Sequence, residues 1–232
     1  MAVFSDDAHQ RQPDRRVFEP LAFFGSLAAD PAPAGDGARS RRRWFDAGVD
    51  EFTLFASFGT NIWISRTAEA LRALAAIADW AAAADDARVL ISLGAARLAA
   101  GDRARLERPH VRVADYVDQR EVLECADAFV THHGLNSTHE AVVYEVPMIS
   151  YPFVWDQPGL AAACQRLGLA VPLADTPMAP VAPDDVQRAV TTVRGQSARF
   201  AEALARAHEW EREVIASRPA VLRQVLDLCG RG

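Results

Sequence analysis

The chain is poor in several residue patterns, and each deficit narrows its chemistry. Only three cysteines, Cys125, Cys164 and Cys229, occur in 232 residues. They are widely spaced, odd in number and form no C-x-x-C pair, which argues against a disulfide framework or zinc ribbon and for a reducing compartment, the cytoplasm by default. Basic residues are in the minority: 25 Lys and Arg against 31 Asp and Glu leave a net charge of -6. No basic stripe for a polynucleotide backbone is expected, so nucleic acid is set aside as a partner. No apolar run approaches the roughly 18 residues of a membrane span, because the alanine-rich stretch 68–100 is interrupted by Asp79, Asp85, Asp86, Arg88 and Arg97. Residues 1–10 lack the basic region and apolar stretch of a secretory signal. A Gly-x-Ser-x-Gly elbow is missing around Ser137, and no second His follows His139 by four residues. The serine-hydrolase and metalloprotease patterns therefore both fail, and no metal site is expected despite His132, His133, His139, Glu140 and Cys125 lying near one another in sequence.

Half of the residues are hydrophobic, enough for a substantial core in a chain of this length. Residues 28–43 collect Pro31, Pro33, Gly35 and Gly37 with Arg39, Arg41, Arg42 and Arg43, the composition of a linker with a solvated charged face. We therefore expect an N-terminal arm and linker over 1–45 and one domain over 46–232. From Phe52 onward, short apolar runs (53–58, 89–93, 111–117, 128–132, 147–151 and 170–173) alternate with helical segments (67–84, 120–125, 137–144 and 158–167). Such alternation is the mark of right-handed β-α-β crossovers and predicts a Rossmann-like parallel sheet covered on both faces. Asp184 begins a further helix, and Phe200, Leu204, Ala207, Trp210 and Val214 recur at helical spacing in the last one. Their apolar stripe needs a surface to cover it. Trp80 and Trp210 read as packing residues.

In a doubly wound sheet, ligands lie beyond the carboxyl ends of the strands. The run Thr131-His132-His133-Gly134-Leu135-Asn136-Ser137-Thr138-His139-Glu140 leaves a strand and enters a helix there. Gly134 permits a close backbone approach, and Asn136, Ser137 and Thr138 suit a helix start. An open helix N-terminus, with about half a unit of positive charge from its aligned peptides, suits a diphosphate.

A wider pattern surrounds this run: Tyr116-Val117-Asp118-Gln119 before it, then Val146-Pro147-Met148, then Pro152 with Asp156-Gln157. The whole closely resembles the donor-binding signature of the UDP-dependent glycosyltransferases, particularly the bacterial branch that modifies macrolides and other small natural products. Ser57-Phe58-Gly59-Thr60 resembles the first-strand turn of that family's C-terminal domain, and residues 2–27 the arm leading into it. The resemblance implies the C-terminal half of a GT-B-type enzyme that uses a UDP- or dTDP-sugar as donor and needs no further cofactor. It implies that Tyr116 stacks on the base, that Val117 pairs with its edge through backbone groups, that Gln119 lies near the ribose and that Glu140 accepts its hydroxyls. His132, Gly134, Asn136, Ser137 and the Gly59-Thr60 turn would hold the diphosphate, and Asp156 and Gln157 the transferred sugar.

Two positions depart from the family pattern. Asp118 stands where Pro is usual, adding negative charge that Arg120 can offset, and Glu145 stands where Gly is usual, before Val146-Pro147. The resemblance further implies single-displacement, inverting transfer of a hexose to a hydroxyl of a small-molecule or lipid acceptor. Its general base would belong to a preceding acceptor-binding domain. His9 lies in the arm rather than at that base position, so no catalytic residue is assigned in this chain. The acceptor half is expected from a separate subunit or lost by truncation, and the last helix is expected to dock it. The competing reading is a non-catalytic nucleotide-sugar-binding or regulatory partner subunit.

Overall fold

The structure, a computed structural model, describes residues 41, 43–48 and 50–229. The expectations placed on residues 1–40, including the arm, most of the linker and His9, lie outside the described residues, as do Arg42 and residues 230–232. Six strands form one parallel sheet: β1 (Phe52–Ser57), β2 (Ala87–Ser92), β3 (Val111–Ala114), β4 (Ala128–Thr131), β5 (Met148–Ser150) and β6 (Ala170–Pro172), in the order β3-β2-β1-β4-β5-β6. The order reverses direction between β1 and β4, which is the switch point where doubly wound sheets open a crevice at the strand carboxyl ends. β1 and β4 are buried along their whole lengths. Their register pairs Phe55 with Phe129 and Ser57 with Thr131, and the two phenyl rings stack at 4.8 Å.

The helices are α1 (Ile62–Ser65), α2 (Thr67–Ala82), α3 (Ala100–Ala104), α4 (Gln119–Leu123), α5 (Leu135–Val143), α6 (Gln157–Leu167), α7 (Pro183–Gly195) and α8 (Ser197–Cys229). The alternation expected from the sequence is present, with two short helices, α1 and α3, that the apolar periodicity did not announce because neither is long enough to show a stripe. α2 buries Leu71, Leu74, Ile77 and Trp80. The Trp80 indole N–H donates to Gln187 of α7 at 2.8 Å, so this tryptophan is the packing residue its position suggested.

Two findings revise the reading of the chain's ends. The first part of the stripe on the last helix is covered within this domain: Phe200, Leu204 and Ala207 are buried, where α8 packs against α5 and α7, while Trp210 and Val214 are half-buried. The basic cluster is only partly a solvated face. Arg41 forms a two-pronged ion pair with Asp127 at 3.1 Å for both bonds, and also donates to the carbonyls of Cys125 and Glu51. Arg43 pairs with Glu121 at 2.9 Å and lies over the Trp44 ring. An Arg fork fits a carboxylate bidentately, and this one fastens the incoming chain to the amino ends of β1 and β4. Among the described residues no helix is long and apolar enough to cross a membrane.

Candidate functional site

The β1–β4 pairing brings two turns together. After β1 the chain turns at Gly59, at φ 67, and after β4 it passes through His132, His133 and Gly134 into α5. A side-chain carbon at Gly59 would lie 3.0 Å from His132 Cε1, and one at Gly134 only 2.4 Å from Nε2. Both glycines are needed for one imidazole edge to sit between the turns. Gly94, at φ 57, lets the β2 loop pass against the same turn, since a carbon there would meet the Gly59 carbonyl oxygen at 2.6 Å.

Burial pushes the His132 imidazole down to about 4, with the Ser57 backbone partly opposing the shift. Nδ1 is itself buried and makes no hydrogen bond of good geometry to any described residue. His132 is therefore a neutral ring held against an open turn. The adjacent histidine faces away: His133 Nε2 lies 2.7 Å from Ser150 Oγ on β5, and Nδ1 lies 3.4 Å from Thr138 Oγ1 on α5. Burial, and to a lesser degree the charge of His132, push it down to about 3. It occupies the left-handed region, φ 60, and braces β4 against β5 and α5.

The helix begins at Leu135, two residues earlier than its composition suggested. Gly134 is the cap residue and no described side chain caps it; Asn136 and Ser137 lie in the first turn, and Thr138 turns its hydroxyl back to the Gly134 carbonyl at 3.1 Å. The first intrahelical bond is the Thr138 N–H to Gly134. The N–H groups of residues 135–137 therefore have no acceptor within the helix, at the turn that holds His132, the arrangement that receives an anion.

Behind this turn, Gln119 Nε2 donates to Glu140 Oε2 at 2.5 Å, placing together the two residues expected at a ribose. Desolvation raises the Glu140 carboxyl above its usual range, with the Gln119 bond opposing. Val117 is buried and anchors its segment, whereas Tyr116 is 73% exposed, its ring free to cover a planar ligand. Asp118 caps α4 through the Arg120 N–H at 3.1 Å and pairs with the Arg120 guanidinium at 3.4 Å. Desolvation raises its carboxyl, but the bonds and charge of Arg120 bring the net shift below the usual range. The offsetting role expected of Arg120 is thus present in the geometry. Glu145, the other departure, sits at φ 55 as a glycine would and turns its carboxylate to His208 of α8 at 3.0 Å.

The sugar-side residues divide. Asp156 is exposed and makes no side-chain capping bond at the start of α6. Gln157 is buried, and its amide oxygen accepts the N–H groups of Phe153 and Val154 at 3.0 and 3.2 Å. What it can offer a sugar is its NH2 end. Trp155, which sequence reasoning passed over, stands beside Asp156 with 71% of its surface exposed. An aromatic in front of the Asp-Gln pair was the one signal that could have marked it. Among the described residues, no group of three or more His, Cys, Asp or Glu converges as a metal site.

The family model of the erythromycin biosynthesis protein CIII-like C-terminal domain matches residues 77–222. The chain belongs to that family. It is a glycosyltransferase C-terminal domain of the nucleotide-sugar-binding kind, with the Rossmann-like sheet of a GT-B half. It is similar to the UDP-glycosyltransferase CGT of Oryza sativa subsp. indica, 33% identical over 168 residues, 66% of this chain and 34% of that protein. The oleandomycin glycosyltransferase of Streptomyces antibioticus is 43% identical over 65 residues, 28% of this chain and 15% of that one. Among solved structures, the glycotransferase of kitacinnamycin superposes with a TM-score of 0.70 at 26% identity, over 92% of this chain and 52% of that one. The chain thus spans about half the length of that neighbour, and its matches cover 34% and 15% of these two curated relatives.

Proposed function

We propose that this CIII-like domain binds a UDP- or dTDP-hexose and serves as the donor half of an inverting glycosyltransferase. An N-terminal-type domain, in trans or on a longer polypeptide, would hold a small-molecule or lipid acceptor. The observation that carries this is the convergence of the Gly59 turn, His132 and the uncapped start of α5, a cradle of donors shaped for two linked phosphates. The hydrogen-bonded pair of Gln119 and Glu140 supports a ribose next to it, and the exposed ring of Tyr116 supports a base.

In the transfer, the acceptor oxygen attacks the anomeric carbon, the bond from that carbon to the diphosphate breaks, and the electron pair leaves with the phosphate. The acceptor proton passes to a general base on the acceptor domain. Negative charge grows on the leaving diphosphate, and fixed N–H groups aimed at it stabilise that charge without reorganising. The helix dipole of α5 and the His132 edge act in the same direction.

Calorimetric titration of the purified chain with UDP and dTDP tests the reading. At least one should bind, and Glu140→Ala should weaken it by about 1–3 kcal/mol, the cost of leaving ribose hydroxyls unpaired. No binding of either nucleotide would overturn the proposal. Unchanged affinity in Glu140→Ala would remove that residue from the site.

A further inference from the structure

Trp155 occupies the left-handed backbone region, φ 61, and exposes 71% of its surface at the carboxyl end of β5. Both features are unfavourable by themselves. A bulky side chain crowds the neighbouring carbonyl at positive φ, where glycine would not, and an indole in water forgoes the burial that makes tryptophan valuable in a core.

The surrounding segment is firmly built, so the strained backbone is not a loose tip. Tyr151 donates its hydroxyl to the Ala179 carbonyl at 3.0 Å, and the Met178 N–H donates to Pro152 at 3.2 Å. The rings of Phe58, Tyr151 and Phe153 pack together at 5.0–5.6 Å between centroids. The Gln157 amide oxygen holds the N–H groups of Phe153 and Val154. Trp155 is held out to solvent by its neighbours, directly before the exposed carboxylate of Asp156. Strain maintained by a rigid frame beside a polar group is the pattern that points from conformation to function.

We infer that Trp155 is a platform of the donor-sugar subsite: its indole receives the C–H-lined face of the pyranose while Asp156 receives hydroxyls. The inference rests on the nucleotide-sugar reading above. The chemistry follows from the two surfaces. A pyranose offers weakly positive C–H groups on its face and hydroxyls at its edge, and an aromatic ring offers a negative face of matching size. A carboxylate has only acceptors and suits the edge.

The test measures UDP and UDP-glucose affinities, and those of dTDP and dTDP-glucose, on the full chain and on Trp155→Gly and Trp155→Phe. In Trp155→Gly the affinity of the sugar nucleotide relative to its own nucleoside diphosphate should fall about fivefold, the size of one aromatic contact, with nucleoside diphosphate affinity unchanged. Its melting temperature should rise by a few degrees as the positive φ is relieved. Trp155→Phe should keep most of the sugar's contribution. An unchanged ratio in Trp155→Gly overturns the inference, as does an equal loss for UDP and UDP-glucose, which would place the indole on the nucleotide or in the fold. If the wild-type chain binds none of the four ligands, it is the nucleotide-sugar reading that fails, a result distinct from either.

Discussion

The two ends of the same strands are built differently. At the amino ends of β1 and β4, the Asp127 carboxylate accepts both prongs of Arg41, the Thr53 N–H at 2.7 Å and the Thr53 hydroxyl at 2.9 Å. Arg41 also ties in the Cys125 and Glu51 carbonyls. At the carboxyl ends, α5 starts without a side-chain cap, Asp156 makes no capping bond, and Tyr116 and Trp155 stand in solvent. One edge turns the Asp127 carboxylate and the terminal nitrogens of Arg41 inward onto each other, and the other leaves a helix start and aromatic faces open. The difference teaches that the two edges can be perturbed separately, since polar groups left unpaired cost least where water can reach them.

Acidification should test that separation most severely. Burial holds His132 and His133 at about 4 and about 3, whereas the unfolded chain protonates its imidazoles near 6.5. The unfolded state therefore binds more protons over this interval, so stability is full above about pH 6.5 and is lost as pH falls toward the folded values. Between pH 7.5 and 5.5 the two rings should together lower unfolding free energy by about 2–3 kcal/mol, read from denaturant melts. A flat profile over that range would show that these rings are not buried neutral.

The opposite edge should respond to Asp127→Ala. Removing the carboxylate takes the acceptor from the Thr53 N–H and the counter-charge from Arg41, and should cost about 2 kcal/mol of stability while nucleotide affinity stays within error. If affinity falls in step with stability, the two ends are coupled and the contrast fails. The smallest and most local effect is expected from Gly134→Ala. The added methyl meets His132 Nε2 at 2.4 Å and must displace the imidazole from the turn. Nucleoside diphosphate affinity should fall about tenfold while stability changes by less than about 1 kcal/mol. A loss of stability without loss of affinity would move the phosphate site elsewhere.

How far the site was legible depended on whether its parts were contiguous in the chain. The passage from β4 into α5 could be read directly, because a strand, a glycine and a helix start occupy adjacent positions. The β-α alternation that predicts a parallel sheet was equally visible. The cap was misplaced from Gly134 to the polar residues after it, since Asn, Ser and Thr favour caps in general while this helix leaves its end open. The role of Arg41 was hidden, because nothing near it in sequence names Asp127 as its partner. The stripe on α8 was seen, but not its cover, because an apolar face is visible in sequence and the surface that meets it is not. Gln157 illustrates the same gap: its place beside Asp156 suggests a ligand contact, while the fold gives its oxygen to the 153–154 turn.

Local patterns alone determined the longer elements, their parallel class and the glycine turn that leads into α5, because periodicity, glycine placement and helix starts act over a few residues. Only the tertiary structure decided that β1 lies beside β4, that Gly59 therefore touches His132, and that Trp155 is held strained and open beside Asp156. Those outcomes come from long-range packing, in which residues far apart in the chain compete for the same space and no short segment carries the answer.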